Sequence, residues 1–125
     1  MTAFVDTSVL VDVLRGSRLA RDLLVAKRRE GALHSSEVVR AEVLSGMRKA
    51  EEARTRDLLD SLEWHPVDQE VAEEAGRLGR RWLGSHGGID TADLLVAATA
   101  RLAGLELLTR NVRHFPMFPS LRPPY

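Results

Sequence analysis

Residues 3–10 read Ala3-Phe4-Val5-Asp6-Thr7-Ser8-Val9-Leu10. The three apolar residues at the start do not alternate with polar ones, the pattern of a strand buried on both faces in a parallel sheet. The run stops at Asp6-Thr7-Ser8, residue types that open helices, and Val9, Leu10, Val13 and Leu14 then fall at helical spacing. A buried strand that passes directly into a helix is the start of a βα unit, and the rest of the chain shows whether that unit recurs.

It does recur. Arg15-Gly16-Ser17 breaks the first helix. Residues 19–30 read as a second helix with Leu19, Leu23 and Leu24 on one side and the Lys27 stem beside them, and Gly31 ends it. Ala32-Leu33-His34 reads as a short second strand. Ser35-Ser36 then caps a helix that turns Val38, Val39, Val43, Leu44 and Met47 inward. Residues 51–61 read as a further helix packing Leu58 and Leu59, with Leu62 just beyond. Residues 63–67 read as an edge strand, because Pro66 cannot donate to a ladder. Asp68 caps a long helix through Leu83, residues 84–88 turn, and Asp90 or Thr91 starts an alanine-rich helix through Leu102. Gly104 follows that helix as its C′ residue, and residues 105–108 form the last strand. The tail, residues 115–125, is too rich in proline for a helix or a central strand and should wrap the surface. Alternating strands and helices predict an α/β fold with a mostly parallel central sheet in a single domain, 1–125.

Composition narrows the function. The chain has 125 residues, 44% of them hydrophobic and 29% charged, which fits an ordinary globular domain. It has no cysteine, which excludes disulfides and thiolate metal sites. No apolar run approaches the ~20 residues of a membrane span, and residues 1–6 lack the basic and apolar regions of a secretory signal, so a cytoplasmic location is expected. Net charge is zero, which argues against a uniform basic coat for nucleic acid. The basic set is lopsided, with only Lys27 and Lys49 beside sixteen arginines.

In parallel sheets ligands sit beyond the carboxyl ends of the strands. Asp6 stands at the end of the first strand and Asn111 just after the last. Asp93 and Asp90 share one face of a helix's first turn, where capping is the competing role. Glu42 lies between the apolar positions Val39 and Val43, so it is either a rim residue or the partner of something cationic. Carboxylates gathered in one cleft raise one another's pKa, and a divalent cation removes that penalty. Mg2+ takes hard oxygen ligands, few of them protein carboxylates. The four histidines show no close metal-ligand spacing, which argues against a zinc enzyme.

Four segments together resemble the PIN-domain family. They are Phe4-Val5-Asp6-Thr7-Ser8-Val9-Leu10, Ala41-Glu42-Val43-Leu44-Ser45-Gly46, residues 89–100 around Asp90 and Asp93, and residues 107–115, which include Thr109-Arg110-Asn111. At this length the chain is most similar to VapC toxins of bacterial toxin–antitoxin pairs. The resemblance implies an α/β/α sandwich and Mg2+- or Mn2+-dependent endoribonuclease activity on structured RNA, such as tRNA or rRNA loops. It also implies homodimers and neutralisation by a VapB-type antitoxin, with promoter DNA contacted only through that antitoxin. The family's acidic positions fall on Asp6, Glu42 and Asp93 as metal ligands. The fourth falls on Asn111, which can ligand through its carbonyl or a water but brings no charge. Asp90 is a candidate to supply that charge. Thr7, Ser8 and Thr109 match flanking hydroxyls, with capping as the alternative, and Arg110 and Arg113 are candidates to hold RNA phosphates.

Two rival readings follow from the same residues. A PIN-like module that acts with an antitoxin on operator DNA and cuts nothing is compatible with Asn111 and the neutral charge. A phospho-acceptor fold with Asp6 as nucleophile also places an Asp at a strand end, but it needs a lysine near the later strands, and both lysines are early.

Overall fold

A computed structural model describes residues 1–125. Its order is β1 (Ala3–Val5), α1 (Thr7–Leu14), α2 (Arg18–Arg28), β2 (His34–Ser36), α3 (Glu37–Ser45), α4 (Glu52–Asp60), β3 (Glu63–His65), α5 (Gln69–Trp82), α6 (Thr91–Leu102) and β4 (Glu106–Leu108), with short 3-10 turns at Lys49–Glu51 and Val112–His114. The four strands form one sheet in the order β3-β2-β1-β4. Every pairing is parallel, with Phe4 opposite His34 on one side and Leu107 on the other. The sheet is therefore wholly rather than mostly parallel, and six helices flank it. β3 lies at the edge, as Pro66 requires.

The chain leaves β1 for β2 and β3 on one side and comes back to β4 on the other. This puts a topological switch point at the carboxyl ends of β1 and β4, where an α/β sheet opens a crevice. β1 is buried along its whole length. Phe4 and Val5 are fully hidden at its centre; burying a side chain of this kind contributes about 1.5–3 kcal/mol. Helix starts follow the capping residues: Ser17, Ser36, Asp68 and Asp90 each accept a backbone N–H of the first turn. The alanines of α6 serve close packing. Ala97, Ala98 and Ala100 are fully buried, and a Cβ on Gly79 of α5 would sit 3.2 Å from the Leu94 side chain of α6.

Two expectations are corrected. The second strand lies at His34–Ser36, not at residues 32–34. Ser35 is a strand residue, fully buried, and its hydroxyl donates to the Val5 carbonyl at 2.8 Å, so only Ser36 caps α3. On α2 the buried positions are Ala20 and Leu24, while Leu19 is exposed. The Lys27 stem does reach inward, and its ammonium meets Glu106 of β4 at 2.8 Å.

Candidate active site

The site grows out of the switch point. Asp6 directly follows β1, and its backbone N–H donates to the Leu108 carbonyl of β4 at 3.0 Å. It occupies the N-cap position of α1, yet its side chain caps nothing. Instead Oδ2 accepts the hydroxyl of Thr109, the residue after β4, at 2.7 Å. Thr109 is fully buried and also accepts the Asn111 N–H at 3.0 Å. Ser8 joins the same knot: its Oγ lies 3.4 Å from the Thr109 hydroxyl and accepts the Arg110 N–H at 3.0 Å. Residues about a hundred positions apart meet here because β1 and β4 are neighbours.

Two helices bring the other carboxylates. Glu42 is exposed on α3, with Val39 and Val43 buried behind it, and so is a rim residue. The Thr7 hydroxyl donates to its Oε1 at 2.7 Å. Asp93 is the third residue of α6. Its Oδ2 accepts the Asp90 N–H at 3.1 Å and lies 3.2 Å from His114 Nδ1.

Asp6, Glu42, Asp93 and Asn111 all line one cleft of about 280 Å³, together with Thr7, Ser8, Val11, Asp12 and Arg110. A larger cavity, about 620 Å³, lies under the C-terminal tail, but its wall includes none of these acidic residues. Three expected auxiliary residues are absent from the cleft lining; Thr109 is buried behind it, bonded to Asp6. Asp90 turns its carboxylate to the Asp93 N–H at 2.8 Å and acts as the helix cap, outside the cleft lining, while its charge still bears on Asp93. Arg113 is exposed in the 3-10 turn outside the cleft. The lysine objection to a phospho-acceptor stands, since neither lysine lines the cleft and Lys27 is tied to Glu106. His114 is not among the site residues named from the sequence. The structure places it against Asp93, a contact that no residue spacing encodes.

The electrostatics of the cleft favour a cation. Burial holds the Asp6 carboxyl above its ordinary range and the Glu42 charge adds to that, opposed by the Thr109 hydroxyl and the adjacent Thr7 backbone N–H. Asp93 is pushed up to about 6, first by burial and then by the charges of Asp90 and Asp6, with the Asp90 N–H and His114 opposing. The cleft wall carries four carboxylates and one guanidinium. Its donors are carboxylate, hydroxyl and amide oxygens with no sulfur or imidazole, the set that suits Mg2+ or Mn2+. No three acidic or imidazole side chains stand close enough to hold an ion unaided.

A pH dependence follows. Between 3.8 and about 6 the folded protein keeps a proton on Asp93 that the unfolded chain has released. The contribution of Asp93 to stability therefore falls as pH rises through that window. In EDTA, the melting temperature of Asp93→Asn should gain on the native protein's from pH 4 to pH 6. The rise in melting temperature on adding Mg2+ should grow over the same window in the native protein and shrink sharply in the variant. Parallel melting curves with and without Mg2+ across that range check both.

Comparison with known proteins agrees with this geometry. The family model of the PIN domain matches residues 3–117. The chain is 46% identical to Ribonuclease VapC19 of Mycobacterium tuberculosis over 122 residues, 97% of this chain and 98% of that protein. Among solved structures, a toxin–antitoxin complex from Klebsiella pneumoniae superposes with a TM-score of 0.85 at 31% identity, covering 99% of this chain and 98% of that one. VapBC2 from Rickettsia felis, solved bound to a DNA fragment from its promoter, shares the fold with a TM-score of 0.82 at 21% identity, covering 97% and 96%. With its sheet order, its cleft between β1 and β4 and these relatives, the chain belongs to the PIN-domain family, among the VapC ribonucleases.

Proposed function

We propose that this chain is a Mg2+- or Mn2+-dependent endoribonuclease toxin that cuts a structured RNA, such as a tRNA or rRNA loop, and is silenced by a VapB-type antitoxin. The observation that carries the reading is the lining of one cleft by Asp6, Glu42, Asp93 and Asn111, brought together from four segments of the chain. Asp6, Glu42 and Asp93 would hold the ion, with water completing its shell. When bound, it supplies an activated water and a Lewis acid for phosphodiester hydrolysis. Asn111 offers a neutral oxygen beside it. Thr109 and Thr7 fix the Asp6 and Glu42 carboxylates through their hydroxyls, and Ser8 holds the backbone of Arg110. Arg110 holds a phosphate of the RNA at the cleft wall.

The surface supports a protein partner. An apolar groove of about 420 Å³ runs between α2 and α4, lined by Val13, Leu24, Val25, Leu33 and Leu58, with Arg21, Arg28 and Arg29 also on its wall. An amphipathic antitoxin segment with acidic flanks suits that combination. Val25 and Leu19 stand exposed on α2. The protein acts as a homodimer in the cytoplasm, within one domain, and meets promoter DNA only through the antitoxin. No helix is long and apolar enough to cross a membrane.

Sequencing RNA 5′ ends after brief induction tests the reading. Sharp new ends in one RNA class are expected, together with growth arrest that depends on Asp93. Operator binding with the antitoxin but no new ends and no arrest would instead support the non-cutting module.

A further inference from the structure

The C-terminal tail returns to the cleft. Phe115 and Met117 are buried, and Phe118, Leu121 and Tyr125 pack against the core. Pro116, Pro119, Pro123 and Pro124 fix the backbone between these anchors, which lowers the entropy lost on ordering the segment. The last residue then reaches α1. The Tyr125 hydroxyl donates to Asp12 Oδ2 at 2.5 Å, and the same oxygen accepts from Arg110 Nη1 at 2.9 Å. Asp12 and Arg110 both line the acidic cleft, where Arg110 is the sole cation.

We propose that Tyr125 is a positioning residue for RNA binding: through Asp12 it holds the Arg110 guanidinium at the cleft wall, where its remaining N–H donors grip a phosphate. This rests on the ribonuclease reading above.

The physical case is one of persistence. The Arg110 side chain is 57% exposed, and an arginine–carboxylate pair that open to solvent contributes little and leaves the long side chain free to wander. Asp12 is far less exposed, at 20%. A charge-assisted bond from a half-buried phenol fixes its carboxylate, and a fixed carboxylate fixes its arginine. Burial, with the bond to Asp12 adding to it, raises the Tyr125 pKa, so the phenol remains a donor at any working pH. Arginine carries five N–H donors and Asp12 takes one of them. The hydroxyl is not needed to dock the tail, since Phe115, Met117, Phe118 and Leu121 already do so. It touches the one carboxylate that is paired with the cation of the cleft.

The test is binding of a fluorescently labelled RNA stem–loop at low ionic strength in EDTA, so that nothing is cut. Tyr125→Phe keeps the ring and the tail packing, and an unchanged melting temperature confirms this. Its affinity should fall about five- to tenfold. The slope of log affinity against log salt should flatten by about 0.7, one phosphate contact on a single strand. Because Tyr125 acts through Arg110, Tyr125→Phe should add nothing in an Arg110→Ala background. No loss on Tyr125→Phe, or an equal loss in both backgrounds, overturns the proposal while native cleavage of RNA with Mn2+ still stands. A native protein that neither binds nor cuts RNA overturns the ribonuclease reading, and this proposal with it.

Discussion

Asp6→Asn is expected to lower Mg2+-dependent RNA cleavage by at least about a hundredfold, the scale of losing one charge-stabilising group at a reacting centre, while leaving the metal-free protein as stable as before or more so. The two halves of this result have one cause. Asp6 is 5% exposed and held above its ordinary pKa by burial, with Glu42 adding to the strain, so the anion is the form that the metal-free fold disfavours. Asparagine has the same shape and still offers an oxygen to the Thr109 hydroxyl. What it lacks is the charge that binds the ion. The rise in melting temperature on adding Mg2+ should therefore collapse along with activity, the trade between stability and function expected of a charged site. Cleavage rates and melting curves on the same preparations check this. Activity within a few-fold of native, or a Mg2+ response that survives, would remove Asp6 from the metal site.

Much of this site was legible in the sequence, for a reason that particular residues show. Asp6 is marked by its place where an unalternated apolar run meets a helix start, and the rule that ligands gather beyond strand ends does the rest. Glu42 is marked by its buried neighbours, Val39 and Val43. Periodicity sees only one element at a time, and that is where the reading stopped. Ser35 looks like a cap because it is polar. It is a buried strand residue whose hydroxyl is satisfied by the Val5 carbonyl of the next strand. Leu19 looks like core because it is large, but α2 turns the smaller Ala20 inward. The contacts of His114 with Asp93 and of Tyr125 with Asp12 are not legible in the sequence, since each exists only after the sheet is assembled. Tyr125 meets a residue 113 positions away. Asp90 is ambiguous in the sequence between cap and extra charge, and only the direction of its carboxylate shows that it caps α6.

Thr109→Val should reduce cleavage by about ten- to a hundredfold, the scale at which partners that orient metal ligands matter. The same change should destabilise the fold by about 1–3 kcal/mol. Valine fills the same space without the hydroxyl, so packing is conserved, while the weak 3.4 Å contact with Ser8 and two shorter bonds vanish. One is the donation to Asp6 Oδ2 at 2.7 Å and the other is the acceptance of the Asn111 N–H at 3.0 Å. The site is fully buried, and water cannot readily replace either bond. The bond to Asp6 also lowers that residue's pKa. Without it the carboxyl holds its proton to higher pH, and the acid limb of the pH–rate profile should move upward. A merely structural role for Thr109 predicts no such movement. Thr109→Ser retains the hydroxyl and should restore the profile while losing only the packing of a methyl group. If valine and serine variants instead behave alike, the hydroxyl has no part in holding Asp6. The joining of β1 to β4, which brings these two residues together, would then place Asp6 without Thr109's help.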